Sequence, residues 1–224
     1  MVKPADFFQL ANFAHAALFD GARFVWEALE RLPDYLARHM AAGIDGQVMP
    51  GATIEGDVYV GEGTVVQPGA MIVGPALIGK GCQVRHGAFI RGHVILGDGA
   101  IVGHASEVKT AVLLDDAAAP HFNYVGDSIL GRAVNLGAGS ICSNFKMTHD
   151  AVVVRAGDQT YETGMRKLGA IVGDGAEIGC NAVLNPGTLI GPRSLVYPAC
   201  SVRGWHAAGS VIKLRQQTEE AQRR

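Results

Sequence analysis

Between His121 and Phe145 the sequence reads HFNYVGDSILGRAVNLGAGSICSNF, gathering a histidine, a tyrosine and several asparagines into one stretch of a repetitive chain. A histidine with a near-neutral pKa is suited to take a proton from an amine or hydroxyl as it attacks a thioester, a contribution of about 10²- to 10⁴-fold in rate. His121 follows Pro120, precedes Tyr124, and stands where the surrounding pattern breaks. Upstream, Arg91 and Lys109 are 18 residues apart. If they meet on one face, two cations so close suggest an anion such as a sugar phosphate, unless carboxylates such as Glu107 and Asp127 pair with them.

What would position these residues is a period of six. Counting from Val48 gives Ile54, Val60, Val66, Ile72, Ile78, Val84, Ile90, Leu96, Val102, Val108 and Leu114, every one aliphatic. Two places earlier stands a mostly small residue, as at Ala52, Thr64, Ala70, Cys82 and Ala88. The period continues through Leu130, Leu136 and Cys142 after a five-residue step from Val125, and again from Val172 to Val202. Six fits neither a helix nor a hairpin-linked strand alternation. It fits a short strand plus a turn, three of which close a triangular coil of about 18 residues. The aliphatic residue fills the interior, and the small one lets the chain turn. Glycine pairs such as Gly97 and Gly99 complete no G-x-G-x-x-G and read as corner residues.

On such a coil, 18-residue spacing stacks side chains on neighbouring turns. His86 and His104 would stack in this way as ordinary surface histidines. No metal is expected, because the His-x4-His spacing of β-helical γ-class carbonic anhydrases is absent. The four cysteines, Cys82, Cys142, Cys180 and Cys200, form no C-x-x-C and read as reduced thiols.

Residues 1–43 lack the period and carry apolar residues at helical spacing in FFQLANFAHAALF and ARFVWEALERL, with a break at Pro33. They predict N-terminal α-helices capping the first coil of a β-helix spanning 44–208. A hairpin insertion over 145–168, turning at Gly157-Asp158, would project from it. Residues 209–224 predict a tail or short helix. With 48% hydrophobic residues and a formal net charge of -2, the 224-residue composition is that of a soluble, cytoplasmic protein with no nucleic-acid or membrane partner.

With EVK, HFNYVGD, VNLGAGSICSN and RKLGAIVGD in order, residues 45–204 resemble the C-terminal domain of the bifunctional N-acetylglucosamine-1-phosphate uridyltransferase/glucosamine-1-phosphate acetyltransferases. TGMRKLGA is closer to the archaeal sugar-1-phosphate nucleotidylyltransferases with amino-sugar acetyltransferase activity. The resemblance implies an all-β, left-handed parallel β-helix of hexapeptide repeats, a homotrimer, and acetyl-CoA as co-substrate bound between subunits. It makes His121 the base that deprotonates an amino-sugar phosphate, Glu107 a carboxylate near it, and Asn144 the amide beside the acetyl group. Arg91 and Lys109 would contact phosphate, Lys167 phosphate or sugar, Tyr124 and Asn135 the sugar, and Cys180 and Ala182 the coenzyme channel. Phe145 and Cys180 depart from the tyrosine and serine of bacterial relatives, which bears on acetyl-CoA binding. With no nucleotidyltransferase domain in the sequence, the chain is not expected to make a nucleotide sugar alone. The alternatives are a non-catalytic trimeric scaffold that binds a sugar nucleotide or a separate nucleotidyltransferase chain, and an acyltransferase for another sugar acceptor.

Overall fold

The computed structural model describes residues 1–215 with Glu219 and Gln222, so part of the expected C-terminal tail or short helix lies outside the described residues; within that expected tail, Val211–Ile212 instead form a further strand of the β-helix, paired with Leu195–Val196. Among the described residues the period of six becomes three parallel sheets visited in turn. The first has nine strands, from Gly43–Ile44 to Trp205–His206. The second has nine, from Gln47–Val48 to Val211–Ile212, and the third eight, from Thr53–Glu55 to Ser201–Val202. Each strand pairs with its counterpart one coil away, as Val58 with Ala76 and Ala76 with Val94. The product is a left-handed parallel β-helix.

Its interior is the aliphatic column read from the sequence: Val60, Ile72, Ile78, Val84, Ile90, Leu96, Val102 and Val108 are fully buried. Each such side chain contributes about 1.5–3 kcal/mol by leaving water. The small residues Ala70, Ala76, Ala88 and Ala100 sit buried at the corners. Where a corner residue carries a hydroxyl it bonds backbone, as Thr64 Oγ1 does to the Gly79 carbonyl at 2.6 Å. Burial pushes the Cys82 thiol up to about 11 and that of Cys142 to about 12, so both behave as apolar filler.

The count in sixes slips once. Leu113, not Leu114, faces the interior, followed by Ala119, Val125 and Leu130. Both the step from Val108 to Leu113 and that from Val125 to Leu130 are one residue short, with Thr110 and Asp127 at positive φ on the two tightened corners. Leu114 is buried outside the coil.

The N-terminal segment differs from its expected placement. It does not cap the first coil; it lies along the outer face of the first sheet. Phe7, Phe8, Phe19, Trp26, Leu32 and Leu36 form one buried cluster with Leu77, Ile95, Val112, Ile129, Ile171 and Leu189, which come from six successive strands of that sheet. The reason is that first-sheet strands such as Ala76–Ile78 and Val94–Leu96 are apolar on both sides, and a parallel sheet of that kind needs both faces covered. FFQLANFAHAALF forms no long helix: one 3₁₀ turn, Pro4–Asp6, precedes it and another, Ala16–Phe19, ends it. The one α-helix among the described residues, α1 (Glu27–His39), runs through Pro33 instead of breaking there. Its buried Leu29, Leu32 and Leu36 hold it against the proline's cost of roughly 3 kcal/mol. Asp174 anchors the segment: its carboxylate accepts from the backbone of Gln9 and Arg132 at 2.8 Å, and its own N–H donates to the Phe7 carbonyl.

The insertion is an antiparallel pair, Val153–Ala156 with Gln159–Glu162, turning at Gly157 and Asp158. Val152, Val154 and Ala156 are buried, and the Tyr161 ring lies 5.3 Å from Phe24 and 5.9 Å from Trp26, so the hairpin leans on the N-terminal segment. Among the described residues no helix is long and apolar enough to cross a membrane.

Candidate active site

His121 ends a strand of the second sheet, Ala118–His121, at the corner leading into the third. The same corner position is held on successive coils by Pro68, His86, His104, His121, Ala138 and Cys180, as strand register and backbone bonds fix it. The His86 and His104 rings stack at 5.5 Å with planes 9° apart. Their Nδ1 atoms lie 2.7 Å from the Pro68 carbonyl and 3.0 Å from the His86 carbonyl, which requires Nδ1 to donate and leaves each Nε2 outward. Among the described residues no group of three or more His, Cys, Asp or Glu could hold a metal ion.

The His121 side chain is exposed, while its backbone N–H donates to Asn123 Oδ1 at 2.9 Å. Asn123 is buried in the corner slot that elsewhere takes a small residue such as alanine, serine or cysteine, and its Nδ2 donates to the Gly137 carbonyl at 2.8 Å. It therefore fixes the turn that carries His121 and Phe122, the latter at φ 52°. Sequence reading passed over Asn123, although a large amide two places before interior Val125 departs from the small-residue rule.

Beyond that corner, the outer face of the third sheet carries the other polar groups. Glu107 and Tyr124 are cross-strand partners, and Arg91 Nη1 donates to Glu107 Oε1 at 2.7 Å. Lys109 Nζ lies 3.4 Å from Asp127 Oδ2, which also accepts from Asn144 Nδ2. Both cations thus have carboxylates, so the bare cationic patch suggested by their spacing is an alternating charge network. Each still has donors to spare, since a guanidinium carries five N–H groups and an ammonium three. Burial, then the nearby Glu107 charge, raises the Tyr124 phenol above its usual pKa. Asp127, expected from the sequence only as a carboxylate that could pair with the cations, is buried and sits on one of the shortened corners at φ 45°.

Gly126 leaves room for this convergence: a Cβ there would meet Asn144 Nδ2 and Tyr124 Oη at 2.7 Å each. Lys167 is brought back to the same end of the face, because it bridges Phe145 across the insertion and Leu168 N–H donates to the Asn144 carbonyl. Three candidates stand apart. Asn135 lies on the second sheet, bonded to Glu177 at 3.0 Å. Cys180 is exposed two coils beyond His121, and the Ala182 methyl is buried in the coil interior, leaving only its backbone and neighbours to border a channel.

Three parallel sheets, a six-residue period and an aliphatic interior define a hexapeptide-repeat β-helix. Within that class, the chain is similar in sequence to part of the bifunctional sugar-1-phosphate nucleotidylyltransferase/acetyltransferases. It is 35% identical over 95 residues to the Sulfurisphaera tokodaii protein of that name, an alignment covering 42% of this chain and 24% of that protein. It is 37% identical over 83 residues to the bifunctional protein GlmU of Methanococcus maripaludis, covering 37% and 20%. The chain thus spans about a quarter or less of these relatives' length. Among solved structures, the Francisella novicida UDP-N-acetylglucosamine acyltransferase aligns over 71% of this chain and 59% of its own, with a TM-score of 0.45 and 14% identity. No protein-family model matches the chain.

Proposed function

We propose that the protein is an acetyl-CoA-dependent N-acetyltransferase for an amino-sugar 1-phosphate, working as a homotrimer. The observation that carries this reading is the juxtaposition of an exposed, backbone-fixed His121 with the Arg91–Glu107 and Lys109–Asp127–Asn144 network on the adjoining face. Similarity to proteins named for acetyl transfer as well as nucleotidyl transfer supports it.

In this mechanism a neutral amine attacks the thioester carbonyl carbon. His121 takes the amine's proton as the tetrahedral intermediate forms, and Asn144 or a backbone N–H steadies the oxyanion. The C–S bond then breaks, and CoA leaves as the thiol on receiving a proton. Arg91, Lys109 and Lys167 hold the phosphate with their spare donors, which orients the amine. Glu107 keeps Arg91 in place, and Tyr124 contacts the sugar. The coenzyme runs along the corner past Ala138 and Cys180. Asn135, on another face, serves the site of a neighbouring copy.

The test is release of free CoA thiol from acetyl-CoA with glucosamine 1-phosphate. The wild type should turn over, and His121→Ala should lose about 10²- to 10⁴-fold with an unchanged circular dichroism spectrum. A wild type that neither turns over nor binds acetyl-CoA would overturn the reading in favour of a non-catalytic scaffold.

A further inference from the structure

The formal net charge of -2 is distributed unevenly along the coil axis. Between His39 and Lys80 the chain carries Asp45, Glu55, Asp57 and Glu62 and no lysine, arginine or histidine. Between Glu177 and Glu219 it carries Arg193, Arg203, Lys213 and Arg215 and no acid. All of these charged residues are exposed, and among the described residues none of them takes part in an ion pair. The first stretch builds the first coils and the second the last ones, so one end of the β-helix is acidic and the other basic.

The acidic end is also where the interior opens to water. Ile44 takes the interior place of the first sheet, paired with Val60, yet it is 49% exposed, and Val48, Ala52 and Ile54 are only half-buried. The N-terminal segment, packed on the outer face of the first sheet, leaves these residues uncovered. Among the described residues Gly43–Ile44, Gln47–Val48 and Thr53–Glu55 each stand last in their sheet, with one edge unpaired. Such an edge is a template for a strand of another chain. At the basic end the interior columns of the first and second sheets finish in His206 and Ile212, both half-buried, and Leu214 follows at 47% exposure.

We infer that the acidic end docks on the basic end of a second copy of this chain, coil upon coil. The two ends carry opposite charge, and they present opposite edges of the same parallel sheets. With the coil axes in line, Ile44 of the second copy lies over His206 and Val48 of the second copy over Ile212, so the first and second sheets continue at the ordinary strand spacing of about 4.8 Å. Two like ends would instead bring charges of one sign together. A head-to-tail contact of this kind does not close on itself, so copies add in a line. Its attraction acts between exposed charges and weakens with salt, because the Debye length falls from about 30 Å at 0.01 M to about 3 Å at 1 M. The contact requires neither acetyl transfer nor the trimer.

Light scattering on the full chain, between about 0.01 M and about 1 M salt, tests it. At low salt the mean mass of the wild type should at least double over its high-salt value and rise with protein concentration. One triple variant carries Glu55→Lys, Asp57→Lys and Glu62→Lys, and a second carries Arg193→Glu, Arg203→Glu and Lys213→Glu. Each has two ends of one sign and should keep its high-salt mass throughout. Mixing the two variants should restore association, since each end then meets its opposite. All six positions are exposed, so circular dichroism should show an unchanged β spectrum for both. A wild-type mass indifferent to salt would overturn the inference. So would growth that persists at high salt, self-association of either variant like that of the wild type, or a mixture that stays at the high-salt mass.

Discussion

Gly126 occupies the point at which the Tyr124 hydroxyl and the Asn144 amide converge, and its φ is not one that only glycine adopts. Alanine is therefore tolerable to the backbone there but not to the two polar groups, each of which its methyl would meet at 2.7 Å and displace. Gly126→Ala should lower kcat/KM for acetyl transfer about tenfold or more, on the scale of lost charge-assisted contacts, while the melting temperature moves little. Wild-type turnover in this variant would show that the convergence is not used. Much of this face was legible in the sequence, because Glu107, Lys109 and Tyr124 are polar residues flanking aliphatic interior positions and Asn144 follows interior Cys142 by two. Asp127 was legible only as a partner for the cations; its bond to Asn144 was not, since that meeting is set by a coil one residue short. That shortening shifts which residues face outward, and a count in strict sixes carries the error forward, as at Leu114.

At the scale of elements, the N-terminal segment and the hairpin form one outer layer over the first sheet, and Trp26 joins them. Its ring is 2% exposed, stacks on Phe24 at 4.9 Å and meets Tyr161 of the hairpin edge-on. Trp26→Ala should cost about 3–5 kcal/mol in urea unfolding, the usual range for a buried aromatic. It should also make the turn at Gly157 more sensitive to protease. A loss below about 1 kcal/mol, typical of surface positions, would mean the layer is held elsewhere. The hexad reading found the coil but not this layer. The signal was present: in ALI, VIL, AIV and TLI the residue before the interior position is also aliphatic or large, as in a strand buried on both faces. Periodicity alone placed one aliphatic residue in six in the interior and said nothing of the residue before it, so the N-terminal helices were assigned to the first coil instead of to this face.

On the scale of the molecule, the covered first sheet decides which surfaces remain for self-association. Large apolar side chains are exposed on the other two: Ile141 on the third sheet, Leu195 and Val211 on the second, and Phe122, 57% exposed, at the corner between them. A closed ring of three copies meeting at that corner would use both sheets of every copy, and it would bring Asn135 of one second sheet toward Tyr124 of another third sheet. The proposed trimer therefore predicts that light scattering gives three times the 23.5 kDa chain mass. Phe122→Asp, which sets a charge against its symmetry mates in a contact that excludes water, should release single chains with an intact β spectrum. Because the proposed site needs groups from two copies, turnover should fall with the trimer fraction rather than with the amount of folded protein. A Phe122→Asp chain that is monomeric yet fully active would place the whole site within one copy, and Asn135 would then have no part in it.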